Sequence, residues 1–241
     1  MNLDILAIGA HPDDIELGCA GTLVTLVDQG YRVGLADLTD AVLATRGDRD
    51  TRSKEAENAR RIIGASKRYR LGFREASIFD PNTDNLYRMV SLIRRTCPYV
   101  ILAPYWEDRH PDHVDASKLV QSAVFWSGVA KFGDNQPPHR PHRVLYYFTH
   151  YEGPASLVID ISTTFDRKLK AVRSYHSQFQ PQLGSEQMTY ISRPEFLEKI
   201  ISRARYYGSR IGAEYGEPLY VREMNRVEDL MSWANGQGVT G

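Results

Sequence analysis

Residues 3–38, LDILAIGAHPDDIELGCAGTLVTLVDQGYRVGLADL, carry the order of elements that decides the fold. An apolar run over 3–9 reads as a strand, helical periodicity follows over 16–29, and a second apolar run over 31–38 reads as the next strand. Residues 52–63 are helical again, so the chain opens β-α-β-α. Parallel neighbours need a crossover, and an amphipathic helix is the usual one. Farther out, 68–73 follows Gly64, which is placed to end a helix, 85–96 is an amphipathic helix before Pro98, and 99–104 is a buried strand. The pattern predicts an α/β fold: a Rossmann-like, three-layer arrangement with a mostly parallel sheet and ligands at the carboxyl ends of its strands.

The later chain is less regular. Residues 143–149 and 157–161 read as strands and 165–175 as a helix; a last long helix starts near Ser192, where Ser192 and Glu195 stand at capping-box spacing and Pro194 falls in the first turn. Between them, 177–191 shows no clear periodicity, a length that more often belongs to a lid or binding loop than to a plain connection. Residues 136–143 read as a rigid surface turn and 235–241 as a frayed tail. The 241 residues suit a single domain over 1–241.

Thirty basic and thirty acidic side chains cancel, so no whole-protein field draws in nucleic acid or an anionic membrane, and neither is expected as a partner. The 42% hydrophobic and 25% charged fractions are those of a soluble globular protein. Cys19 and Cys97 lack metal-finger spacing, which suggests a reducing compartment and two buried packing thiols. The start of the chain runs straight into a strand without an export signal, and no apolar stretch reaches the roughly 20 residues that span a bilayer. A cytoplasmic location is expected.

Two clusters carry chemistry, each just past a predicted strand: Ala10-His11-Pro12-Asp13-Asp14, and Arg109-His110-Pro111-Asp112-His113. The fold places both on one edge of the sheet. Each pairs imidazole with carboxylate, the donors a borderline ion such as zinc accepts, and each has a proline that stiffens its loop. A single His beside Pro is usually a solvated side chain; two such clusters at strand ends are not readily explained that way. A catalytic site needs three protein ligands and an open position, which assigns His11, Asp14 and His113 to the metal. Asp13 is then free to act as general base on the water the ion acidifies. His110 faces the site as an imidazolium that stabilises the oxyanion and protonates the departing amine, with Asp112 fixing its tautomer. Metal, water, base and acid together indicate hydrolysis of an amide or related bond.

Arg52 and Arg109 are candidates for a substrate carboxylate, and Trp106 for stacking on a sugar or for packing its loop. His139, His142, His150 and His176 lack partners at ligand spacing and read as structural. Gly18 and Gly21 have no phosphate-loop context and read as sites of close helix packing.

The paired motifs resemble those of the LmbE-like, or PIG-L, family of zinc-dependent N-acetylglucosamine deacetylases. That resemblance implies the same roles: metal at His11, Asp14 and His113, Asp13 as base, His110 as the charge-stabilising acid, and one zinc per chain, with iron(II) the other ion considered. Residues 107–113, 175–179 and 205–208 are similar to the bacillithiol-biosynthesis subgroup, a likeness running from residue 3 to about 222. It implies N-acetylglucosaminyl-L-malate as the small-molecule substrate, a dicarboxylate for Arg109 and Arg52 to hold, and a homo-oligomer, often a hexamer among relatives. Thr39-Asp40-Ala41-Val42 departs from the Gly-Glu pair common in relatives. A tyrosine near the oxyanion is also implied, with Tyr190, Tyr206 and Tyr207 as candidates. Three alternatives stand beside this reading: a deacetylase of another N-acetylglucosamine compound of chitobiose or mycothiol-precursor type, a metal phosphoesterase, and a non-catalytic, metal-stabilised sugar-binding module.

Overall fold

The computed structural model describes residues 2–133, 135–179, 189–224 and 226–234. In chain order the elements are β1 (Ile5–Gly9), α1 (Asp14–Asp28), β2 (Val33–Thr39), α2 (Arg49–Ile63), β3 (Lys67–Phe73), α3 (Asn85–Thr96), β4 (Val100–Pro104), α4 (Pro111–Ser127), β5 (Arg143–Tyr147), β6 (Leu157–Asp160), α5 (Phe165–Arg173), α6 (His176–Phe179), α7 (Pro194–Ser209), β7 (Gly216–Val221) and α8 (Leu230–Ala234). The strands form a seven-stranded sheet in the order β3-β2-β1-β4-β5-β7-β6. The first five strands pair in parallel; β7 runs antiparallel to both β5 and β6. Helices α1, α2 and α5 pack together on one face of the sheet and α3 with α4 on the other, so the central strands are buried between two apolar layers while the edge strands β3 and β6 stay partly exposed. β1 and β4 are neighbours although β2 and β3 lie between them in the chain; the winding reverses at this point. Diverging loops at such a reversal leave a crevice at the strand carboxyl ends, which is where this fold binds ligands.

β1 and β2 are buried along their whole length, as expected of central parallel strands covered on both faces. α1 is buried from Asp14 to Val24, where it packs between the sheet, β7 included, and the neighbouring α5 and α2. Close packing explains its glycines. A Cβ at Gly18 would lie 2.1 Å from Cδ2 of Tyr147, a fully buried ring held by its hydroxyl on the Ile8 carbonyl at 2.7 Å, and one at Gly21 would lie 2.7 Å from Ile161. Gly18→Ala is therefore expected to destabilise the protein by about 1–3 kcal/mol, overpacking outweighing the better helix propensity of alanine. Urea unfolding measures it; an unchanged midpoint would mean that Tyr147 has room to move.

Some expectations need correction. The strand β7 was not anticipated, since Pro218 interrupts its short pattern; the proline pairs through its position opposite Val158 in an antiparallel ladder. The last long helix begins one residue late for the expected capping box: Arg193 is its N-cap without a side-chain bond, while Ser192 Oγ closes the preceding turn on the Thr189 N–H at 2.9 Å. α5 ends at Arg173, leaving Tyr175 outside it and fully buried. Cys19 is buried as expected, but Cys97 is only half-buried. In the expected loop over 177–191, α6 covers the first residues, and 180–188 lie outside the described residues, as does the tail over 235–241. No helix among the described residues is long and apolar enough to cross a membrane.

Candidate metal and substrate site

The loop after β1 is a tight turn into α1. The His11 N–H bonds Asp14 Oδ2 at 2.8 Å, which fixes the carboxylate against the backbone of the first histidine. Between them Asp13, the N-cap of α1, sits at φ 115° and makes no capping bond through its side chain. For a residue other than glycine this left-handed conformation costs on the order of 1–3 kcal/mol, and such strain persists where surrounding contacts hold it. The second cluster enters from the neighbouring strand. His110 is the N-cap of α4, Pro111 starts the helix with its missing N–H where none is needed, and His113 falls in the first turn.

The two clusters meet. Asp14 lies between the histidines, Oδ2 at 3.5 Å from His11 Nδ1 and Oδ1 at 3.1 Å from His113 Nε2. The other nitrogen of each ring faces a different carboxylate: His11 Nε2 is 3.1 Å from Asp112 Oδ2 and 3.7 Å from Glu75 Oε1, and His113 Nδ1 is 3.2 Å from Asp108 Oδ1. A carboxylate behind each imidazole is the arrangement that orients histidines on a metal and fixes their tautomer. The ring centroids of His110 lie 4.7 Å from His11 and 5.0 Å from His113.

The electrostatics also suit a cation. Burial alone would lower the pKa of His11, but its bonds to Asp112 and Asp14 outweigh that and raise it to about 9. Burial likewise opposes ionisation of His113, and the charges of Asp14 and Asp108 override it, raising it to about 10. Asp14 stays well below the carboxylate range in spite of its burial, because His113 and His11 hold its charge. The buried acids around these two rings thus draw positive charge into the site, protons when nothing else supplies it. Among the described residues, three donor groups have ligand atoms within 4.8 Å of one another: His11, His110 and His113; Asp108, His113 and His150; and His11, Glu75 and Asp112. None of these is the expected trio, yet Asp14 touches both histidines of that trio.

Asp13 is held by Arg52, whose Nη2 donates to Asp13 Oδ2 at 3.2 Å and to the Pro12 carbonyl. Burial pushes the Asp13 carboxyl up to about 7, against the opposing pull of Arg52. A carboxylate titrating near neutrality suits proton abstraction at cellular pH.

Asp112 and His110 depart from the expected pairing. The Asp112 carboxylate serves His11 Nε2 and the Ala76 N–H at 2.9 Å, while the His110 ring is fixed by the Asp112 backbone, whose N–H donates to His110 Nδ1 at 3.2 Å. That bond needs an unprotonated Nδ1, so the proton sits on Nε2. Burial and the neighbouring His11 and His113 lower the pKa of His110 to about 4, which works against the expected imidazolium.

The site opens into a cavity of about 530 Å³, within the usual range for a small-molecule pocket. Its walls include Leu43, Arg109, His150, Gln178 and Tyr190 beside the metal-type cluster. Arg109 is exposed, with its guanidinium 4.7 Å from the Tyr190 ring centroid. Of the three tyrosine candidates only Tyr190 lines this cavity; Tyr207 donates to Glu152 at 3.0 Å and Tyr206 is exposed. Trp106 packs against Tyr105 and Tyr146 and is not part of the cavity wall.

Several residues of the site were not anticipated. His150, read as structural, stacks 5.2 Å from His113, and its Nδ1 lies 2.9 Å from Asp108. Asp108 accepts in addition from the His110 N–H at 2.8 Å, the Thr149 hydroxyl at 2.7 Å and the His150 N–H at 3.1 Å, and these bonds with His113 and His150 keep it strongly acidic despite its burial. Thr149 and His150 follow β5, whose carboxyl end lies on the same rim as those of β1 and β4, so the rule that located the two clusters also pointed to this third loop. Glu75, after β3, gave no sequence signal, since a lone glutamate after a strand is ordinary.

The chain is similar to several known proteins, among them proteins named as deacetylases. Residues 6–124 match the family model for PIG-L, GlcNAc-PI de-N-acetylase. The chain is 31% identical to the diacetylchitobiose deacetylase of Thermococcus kodakarensis, over 88% of this chain and 80% of the relative. It is 27% identical to a probable N-acetyl-alpha-D-glucosaminyl L-malate deacetylase 2 of Bacillus cereus, over 76% of this chain and 87% of the relative. Among solved structures, a conserved protein of Thermus thermophilus superposes with a TM-score of 0.83 at 33% identity, covering 94% of this chain and 98% of that one.

Proposed function

The chain belongs to the PIG-L family of de-N-acetylases, and from that premise we propose that it hydrolyses the N-acetyl group of a small N-acetylglucosamine conjugate, using one bound zinc ion. The observation that carries the reading is Asp14 set between one nitrogen of His11 and one of His113, with Asp13 beside it engaged by an arginine and by neither ring. His11, Asp14 and His113 would hold the ion, which supplies Lewis acidity when bound. The chain's own groups do the rest. Asp13 takes the proton of the attacking water, and His110, neutral with Nε2–H, donates to the oxygen on which charge develops. Asp112, Glu75 and Asp108 keep the two ligand rings in orientation from behind. The proton taken by Asp13 is available to the departing amine, so the amide C–N bond breaks to give acetate and a free amine.

The finer reading is N-acetylglucosaminyl-L-malate. It is supported by Arg109, an exposed guanidinium in the cavity wall where a carboxylate of the aglycone would sit, and by the likeness to the Bacillus cereus relative. The likeness to the diacetylchitobiose deacetylase favours a neutral disaccharide as the second reading. Purified protein reconstituted with one equivalent of zinc is expected to release acetate from both compounds, faster from the malate conjugate, and to lose this activity on chelation. Equal or slower turnover of the malate compound than of diacetylchitobiose removes the malate assignment and leaves the deacetylase. Two ions per chain with phosphate release from a phosphoester would replace the mechanism altogether.

A further inference from the structure

Arg52 lines the cavity, yet its side chain is only 3% exposed and its bonds are to the protein's own turn. Its Nη2 donates to two acceptors of the same short turn, the Pro12 carbonyl and Asp13 Oδ2. From behind, the guanidinium is backed by the fully buried Tyr175, its Cζ 5.5 Å from that ring's centroid. Leaving the buried Asp13 charge and this aromatic face to meet a substrate carboxylate would be an uncompensated desolvation. The turn it grips is the strained one: Asp13 is held at φ 115° and has no capping bond of its own. Arg109 differs on each count, being exposed and stacked on the cavity-lining Tyr190.

We propose that Arg52 is a positioning residue that clamps the Pro12 carbonyl and the Asp13 carboxylate, fixing the base in its strained conformation, and that it does not read the substrate. This rests on the base role given to Asp13 above. A planar fork with fixed donor directions suits the task, whereas a lysine would keep the charge without the geometry. Displacing a catalytic group by a small distance is worth up to about 100-fold in rate, and a clamp that acts through the base affects every substrate alike.

The test is steady-state kinetics of the zinc-loaded Arg52→Gln, Arg52→Lys and Arg109→Gln enzymes on N-acetylglucosaminyl-L-malate and on neutral diacetylchitobiose, with metal content and thermal melting measured for each. Arg52→Lys keeps the buried charge should Arg52→Gln fold poorly. The expected result for either Arg52 variant is a kcat about 10- to 100-fold lower on both compounds with KM little changed. Arg109→Gln is expected to raise KM for the malate conjugate alone. Adding Arg52→Gln to Asp13→Asn is expected to cost nothing further, because the clamp has no base left to position. A rise in KM confined to the carboxylate substrate, or additive losses in the double variant, overturns the positioning role while the deacetylase stands. Failure of the wild-type protein to release acetate from either compound removes the base role and the clamp with it.

Discussion

Asp13→Asn is expected to lower kcat by about 10²–10⁴-fold, the usual contribution of a general base, while the protein folds and keeps its metal. Asparagine has the shape of the carboxylate and can still accept a bond from Arg52, but it cannot take a proton from water. Asp13 touches neither His11 nor His113 at bonding distance, so the donors assigned to the ion are left in place. The loss belongs in kcat with KM nearly unchanged, since nothing assigned to ground-state binding is removed. Turnover of Asp13→Asn within about threefold of the wild type, with metal content matched, would remove the base assignment and require another group to accept the proton.

Lys168→Met is expected to cost about 3–5 kcal/mol of stability, the penalty for leaving a buried charge without its partner. Lys168 Nζ bonds Glu217 Oε1 with both side chains almost wholly buried, and it also donates to the Leu17 carbonyl at 3.0 Å. Glu217 reaches from β7 to the N–H groups of Gly21 and Thr22 in α1, so one ion pair joins α5, β7 and α1. Removing the lysine leaves the buried Glu217 carboxylate without its cation, which loosens the helix that begins at the site. Denaturant unfolding at neutral pH reads the effect. The double replacement Lys168→Met with Glu217→Gln is expected to recover part of the loss, because no unpaired charge remains. A single variant as stable as the wild type would show that the pair is already solvated.

The fold was largely legible in the chain. Alternating strand and helix periods over the first hundred residues require a parallel sheet, and the observed β1 to β4 and α1 to α3 fall within a few residues of that reading. What failed did so for local reasons: Pro218 hid β7, and Ser192 has a cap-forming side chain that closes a different turn. The site was legible to the same depth. His11, Asp13, Asp14, His110, Asp112 and His113 converge because each follows a strand at one rim, which is a consequence of chain direction.

Pairing within that rim was not legible. Arg52 pairs with Asp13, Asp112 with His11 and not with the His110 ring, and His150 with Asp108, all between partners tens of residues or more apart in the chain. The amino-acid sequence by itself determined the periodicities, the strand ends and the kinds of donor that stand there, since these depend on near neighbours along the chain. Only the tertiary structure decided which carboxylate meets which nitrogen and whether a ring carries charge. Those outcomes depend on distances of a few ångströms between separate elements and on how much water the packed layers exclude, and linear spacing encodes neither.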